Sequence, residues 1–241
     1  MPTPSLPLTG ERTLPGVAAE NYWFRRHEAA YRWLAGALPV PGAVVVEAGC
    51  GEGYGGQVLT EAGAALVAGL DLDLATLRHA AGAYAGVPVA AANLVALPMA
   101  DGVVDLVVSS QVVEHLWDQD QFVAECARVL RPGGRLVVTT PNRLTFPPGN
   151  VFHSRELDAA ELTALVGRHL EVRSVLGLRP GPQLAADQGA NGDLVAAQVA
   201  AAGDPDDALR ARVAAVTAAD FVVDDHDLPG CLDLVLTAVR R

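Results

Sequence analysis

Residues 44–56 read VVVEAGCGEGYGG, and the fold follows from this stretch. A short β-branched run delivers a carboxylate, Glu47, into a turn with Gly49, Gly51 and Gly53 on alternate positions. β-Branched residues favour a strand, and glycines permit backbone angles and a close approach to a ligand that side chains forbid. A second apolar run ends in Asp71, 15 residues past Gly56. A parallel sheet builds an adenosine pocket in this way. Bare backbone lies under the ligand, and an acid at the end of the next strand meets two ribose hydroxyls.

Outward from the turn, strand and helix patterns alternate. Apolar runs predict strands at 43–48, 65–71, 87–92, 104–109 and 134–140, and amphipathic stretches predict helices at 54–62, 74–85 and 119–130. Apolar strands separated by helices mean a parallel sheet covered on both faces. The sequence Arg131-Pro132-Gly133-Gly134 predicts a turn between the last of these helices and strands. Upstream, a helix over 20–38 carries Tyr22, Trp23, Phe24, Tyr31 and Trp33 and stops at Pro39, and residues 1–18 read as an extended arm. Downstream, NRLTFPPGNVFHSREL (142–157) is a long loop, with Ser154 the expected cap of a helix over 158–169. A strand over 170–177 and two short helices within 179–219 follow, and CLDLVLTAV (231–239) is a final buried strand. One domain is expected: an arm and lid helix over 1–42, a core over 43–178 and 220–241, and an insertion or cap over 179–219.

At 241 residues and 51% hydrophobic content the chain can bury a core, which excludes disorder as its main state. The longest uncharged stretch, 80–100, is broken by Pro88, Asn93 and Pro98 and is no membrane span. The N-terminus has neither a basic start nor a hydrophobic run, so no secretory signal is read. Cys50, Cys126 and Cys231 lie far apart without metal-ligand spacing, as in a reduced, cytoplasmic protein. A net charge of −11 repels polyanions, so nucleic acid is not the expected partner.

GEGYGG (51–56) satisfies G-x-G-x-x-G, and Asp71 lies 20 residues past Gly51, as in dinucleotide binders. Glu47 favours another cofactor. A carboxylate before the first glycine would repel a diphosphate, whereas it favours the cationic amino-acid end of a sulfonium compound. The plainer alternative is a strand-end acid that caps a neighbouring helix. At this point VVEAGCGEGYGG resembles the first motif of class I S-adenosylmethionine-dependent methyltransferases. GLDLD (69–73) resembles their second-strand acid motif. AANLVALPMADGVVDLVVSSQVVEHL resembles their third and fourth strands, and ARVLRPGGRLVVTTPN the fifth. The resemblance implies a Rossmann-like fold with a seven-stranded, mostly parallel sheet in the order 3-2-1-4-5-7-6, the last strand antiparallel, and helices on both faces. It also implies S-adenosyl-L-methionine as cofactor and S-adenosyl-L-homocysteine as product. Gly49, Gly51 and Gly53 would line the methionine and ribose portions, and Asp71 would bind the ribose hydroxyls. Leu72 would pack on the adenine. Asn93 stands where the family carries an aspartate for the adenine amino group. The Leu94 amide would face the ring, and Ser110 would meet the methionine portion.

Methyl transfer from sulfur is an in-line displacement, and a hydroxyl acceptor must lose its proton. His115, in QVVEHL, follows the fourth strand and matches the histidine that serves as base in related small-molecule O-methyltransferases; alternatively it stabilises its own loop. His153, on the long loop, is the second catalytic candidate. Arg26, on the aromatic helix, is placed to hold the methionine carboxylate. His226 lies among Asp220, Asp224, Asp225 and Asp227, a set of oxygen ligands that could take Mg²⁺. His27 and His79 read as helix-face residues without a special role. The N-terminal block and the tail resemble further an actinobacterial group of sugar O-methyltransferases of methylmannose polysaccharide biosynthesis. The implied acceptor is the reducing-end 1-OH of a short methylated mannoside. The rivals are the same chemistry on a quinone, phenol or lipid-linked glycan, an NAD(P)-binding reductase, and a non-catalytic cofactor-binding partner.

Overall fold

The structure is a computed structural model and describes residues 12–147, 149–201 and 204–241. Most of the expected arm, residues 1–11, lies outside the described residues. The first half alternates as anticipated: α1 (Asn21–Ala37), β1 (Val44–Ala48), α2 (Tyr54–Glu61), β2 (Leu66–Asp71), α3 (Leu74–Ala83), β3 (Val89–Ala91), β4 (Val104–Ser110), α4 (Gln119–Val129) and β5 (Leu130–Pro141). The second half holds α5 (Ala159–Gly167), β6 (Glu171–Pro180), α6 (Pro182–Asn191), α7 (Leu194–Ala200), α8 (Asp207–Ala215), β7 (Phe221–Asp224) and β8 (Asp233–Val239).

The sheet runs β3-β2-β1-β4-β5-β8-β6-β7. The first five strands are parallel, and β8 inserts antiparallel between β5 and β6. This is the anticipated order with one strand added. The extra strand is β7, four residues pairing antiparallel with the outer edge of β6. Such a run is too short for a period-2 signal of its own and forms because β6 offers it an open edge.

Side chains alternate across the strands, and two cores result. On β1, Val46 joins a cluster with Phe122 and Val123 of α4 and Leu162 and Val166 of α5. Its neighbour Val45 joins a cluster with Tyr31 and Leu34 of α1 and Leu59 of α2. On β8, Leu234 and Leu236 take the first face and Val235 the second. Helices therefore cover both faces.

Three local expectations change. Residues 131–134 are absorbed into β5, with Gly133 at φ +81° carrying the bend. Ser154 caps no helix; its hydroxyl donates to the carbonyls of Glu114 and Leu116, and α5 is capped by Asp158 in a reciprocal box with Glu161. Among the described residues, 179–219 hold three α-helices rather than two. Their buried residues Leu184, Leu194 and Val213 pack with Tyr22 of α1. Asn21 donates to the carbonyls of Val213 and Val216, which ties this region to the foot of α1.

Candidate active site

A cavity of about 320 Å³ lies at the carboxyl ends of β1 to β4, where the strand order reverses between β1 and β4. Its floor is the turn after β1. Gly49 and Gly51 sit at φ +82° and +51°, and Gly53 at +98°. The turn is pinned to the end of β2: the amides of Gly49 and Cys50 donate to the Leu70 carbonyl at 2.8 and 2.9 Å. The Asp71 carboxylate accepts from the Gly51 amide at 2.9 Å and the Asp73 amide at 3.0 Å. A carboxylate has about four acceptor positions, so Asp71 retains capacity for a ligand. A Cβ at Gly49 would stand 2.3 Å from Val112 Cγ2, whereas one at Gly51 would meet nothing within 4 Å. The first glycine is required for packing of the turn, and the second leaves the floor of the cavity open.

Asp71, Leu72, Asn93, Leu94 and Ser110 all line this cavity with Gly49 and Gly51. Leu72 is a large apolar side chain left 75% exposed there, which suits a flat aromatic ligand. Asn93 also builds the turn, its Oδ1 accepting from the Val95 amide at 3.2 Å. Gly53 is outside the lining and forms the cap of α2. Gln111 lines the cavity at φ +57°, a strained angle for a side-chain-bearing residue, at the end of β4.

Arg26 does not line the cavity. It is buried in an ion pair with Asp233: Nε donates at 2.5 Å, and Nη2 donates to the second oxygen and to the Leu232 carbonyl. The face of α1 that reaches the cavity carries His27 and Tyr31, joined by Arg12 and Thr13 from the segment before the helix. Thr13 Oγ1 lies 3.2 Å from His27 Nδ1, and Arg12 donates to Asp73 at 3.2 Å. Burial pushes the His27 pKa down to about 4. His27 reads from the sequence as a helix-face residue without a special role, but its i, i+4 spacing with Tyr31 puts both on one helix face. None of the described residues of 179–219 lines the cavity.

Glu47 does not line it either. It is fully buried beneath α2, where a Cβ on Gly55 would stand 2.1 Å from its Oε1. The Tyr31 hydroxyl donates to Oε1 at 2.6 Å. Among the described residues Oε2 accepts no hydrogen bond. Burial pushes the Glu47 pKa up to about 8, which disfavours its charged form.

Beyond Ser110 the wall carries His115. Its Nδ1 lies 3.0 Å from the Phe152 carbonyl, which can only accept, so Nδ1 holds a proton and, in the neutral ring, Nε2 carries the lone pair. His153 is outside the lining but stacks edge-on against His115, ring centres 4.9 Å apart. Its Nδ1 lies 2.8 Å from Glu156 Oε1. Glu114 is buried behind them; Thr140 donates to its Oε2 at 2.9 Å, and burial pushes its pKa up to about 8. Three of the four acids around His226 are engaged separately: Asp224 with Arg179, Asp220 with Thr217, Asp227 with the Gly230 amide. They make no close group of three or more ligands among the described residues.

The methyltransferase-domain family matches residues 46–138, the turn and the strands that build the cavity. A protein of Mycolicibacterium smegmatis named "probable S-adenosylmethionine-dependent methyltransferase" is 51% identical over 98% of this chain and 96% of its own length. The chain belongs to the S-adenosylmethionine-dependent methyltransferases. A Mycobacterium tuberculosis relative carrying the same description is 47% identical over 98% of this chain and 90% of its own. Among solved structures, a Haloferax volcanii methyltransferase in complex with the Trm112 activator has a TM-score of 0.65, covering 92% of this chain and 93% of that one. At 20% identity this is a likeness of fold. Membership sets aside the reductase alternative, and no helix among the described residues is long and apolar enough to cross a membrane.

For this methyltransferase the buried Glu47 has a measurable consequence. A carboxyl whose folded pKa is about 8, against 4.5 for the free group, contributes stability fully present below pH 4.5 and lost as pH rises through about 8. Denaturant unfolding across that window is expected to show falling stability, and Glu47→Gln to flatten part of the fall. An unchanged slope in the variant would show that Glu47 titrates normally in the fold.

Proposed function

We propose that this methyltransferase transfers a methyl group from S-adenosyl-L-methionine to a hydroxyl of a small-molecule acceptor, first among them the 1-OH of a short methylated mannoside. The cofactor, when bound, supplies an activated methyl on sulfonium sulfur. Asp71 would hold its ribose, Leu72 its adenine face, and the Asn93–Leu94 turn its adenine edge. The amino-acid end then falls to His27, Tyr31 and Ser110 rather than to Arg26. The observation that carries O-methylation is the fixed tautomer of His115. With Nδ1 held on Phe152, Nε2 is a proton acceptor on the cavity wall where an acceptor hydroxyl would enter. Leu116 continues that wall toward Trp117, which is 94% exposed, and an exposed indole suits the apolar face of a methylated sugar.

The test is an acceptor screen with the full chain: a methylated mannobiose, a phenol and a quinol, each with labelled cofactor. Turnover of the mannoside supports the reading; an inert mannoside beside an active phenol moves the acceptor class. No turnover with any acceptor, while S-adenosylhomocysteine binds, would favour a non-catalytic partner. Asp71→Ala is expected to raise the S-adenosylhomocysteine dissociation constant at least about tenfold by calorimetry, because two charge-assisted hydrogen bonds are lost. Unchanged affinity would remove Asp71 from the cofactor site.

A further inference from the structure

Glu114, His115 and His153 each place one ligand atom within 4.8 Å of the others. We propose that these three side chains hold a divalent first-row transition ion at the acceptor end of the cavity. Every candidate donor is oriented by a neighbour. His153 Nδ1 donates to Glu156 at 2.8 Å, and His115 Nδ1 donates to the Phe152 carbonyl at 3.0 Å. Both Nε2 atoms are therefore the ones with lone pairs. Thr140 occupies Oε2 of Glu114, which turns Oε1 toward His115 Nε2 at 4.0 Å. Carboxylate–histidine and carbonyl–histidine pairs of this kind fix tautomer and raise ligand basicity at metal sites. Two imidazoles with one carboxylate favour ions such as Zn²⁺, Mn²⁺ or Fe²⁺ over Mg²⁺, which takes oxygen ligands and water. The fit is close in magnitude. A tetrahedral site with bonds of about 2.0–2.1 Å separates its donors by about 3.3 Å, so shifts of the order of 1 Å close the cage. Asn150 Nδ2 donates to His153 Nε2 at 3.1 Å and gives up that bond when the ion enters.

Three protein donors leave such an ion an open position, and of the three His115 lines the cavity. For its chemical consequence the proposal rests on the O-methylation reading above; for its existence it does not. An ion held there would take the His115 Nε2 lone pair in place of the proton-acceptor role above, and would itself supply the Lewis acidity that lowers the pKa of an acceptor hydroxyl. The O–H bond breaks and its proton leaves to solvent. The oxygen lone pair forms the new bond to the methyl carbon, and the carbon–sulfur pair stays on sulfur, which becomes a neutral thioether.

The experiment strips the full chain with EDTA and titrates it with CoCl₂, read by visible absorbance and calorimetry. One equivalent of Co²⁺ per chain with a d–d band is expected. His153→Gln and Glu156→Gln are each expected to weaken Co²⁺ about 10-fold or more, and His226→Gln to leave it unchanged. S-adenosylhomocysteine affinity, measured on the same samples, is expected to stay at the wild-type value in all three variants. It reports folding and tests the cofactor reading separately from the ion. No saturable Co²⁺ binding, binding that survives His153→Gln at full affinity, or loss of binding in His226→Gln would overturn the proposal.

Discussion

Arg26→Ala is expected to lower the free energy of unfolding by about 3–5 kcal/mol, the cost of leaving one partner of a buried ion pair alone. Asp233 is 1% exposed, at the start of β8, and no solvent reaches it to replace the lost guanidinium. The Leu232 carbonyl loses its donor in the same step. The pair joins the middle of α1 to β8, so the damage extends to the helix that presents His27 and Tyr31 to the cavity. A double variant, Arg26→Met with Asp233→Leu, is expected to recover most of the loss, since an apolar pair of similar volume avoids the desolvation of two charges. Urea unfolding of the single and double variants checks this. Calorimetry with S-adenosylhomocysteine on the folded single variant distinguishes it from the role the sequence suggested. Weakened cofactor binding at unchanged stability would return Arg26 to the cofactor site.

His115→Ala is expected to lower turnover by about 10²-fold or more, in the range of a lost general base, with S-adenosylhomocysteine affinity largely kept. The same direction follows whether His115 takes the acceptor's proton or holds the proposed ion. In both cases the side chain acts on the acceptor hydroxyl, while the cofactor contacts lie on Asp71, Leu72 and the turn after β1. The variant also frees the Phe152 carbonyl on the loop that carries His153, so structural integrity is followed by thermal unfolding. Normal turnover in a folded His115→Ala protein would remove this residue from the chemistry. A loss of turnover matched by an equal loss of cofactor affinity would make it a wall residue of the cofactor cavity.

Some misreadings had a local signal that was available. Asp158-x-x-Glu161 is a capping-box pattern, and it outranks Ser154 as the start of α5 because both of its ends satisfy a backbone amide. His27 stands one turn before Tyr31, on the face of α1 that the aromatic pattern already pointed inward. Other misreadings had no such signal. Nothing near Arg26 in the chain announces Asp233, which is 207 positions away, and Glu47 gives no sign of lying under the Tyr31 hydroxyl instead of at the cavity.

By itself the sequence determined the parallel frame, the glycine turn after β1, the acid that ends β2 and the antiparallel last strand of the resembling family. Backbone sterics and the periods of strand and helix act over a few residues, and those residues are contiguous in the chain. Tertiary structure alone decided which charged groups face the cavity and which are consumed in the core. It buried Arg26 against Asp233, buried Glu47 under the Tyr31 hydroxyl and brought His153 across the long loop to His115 and Glu114. The physical reason is that a titratable side chain takes its role from its partners and its dielectric surroundings. Both are fixed only when segments far apart in the chain pack together.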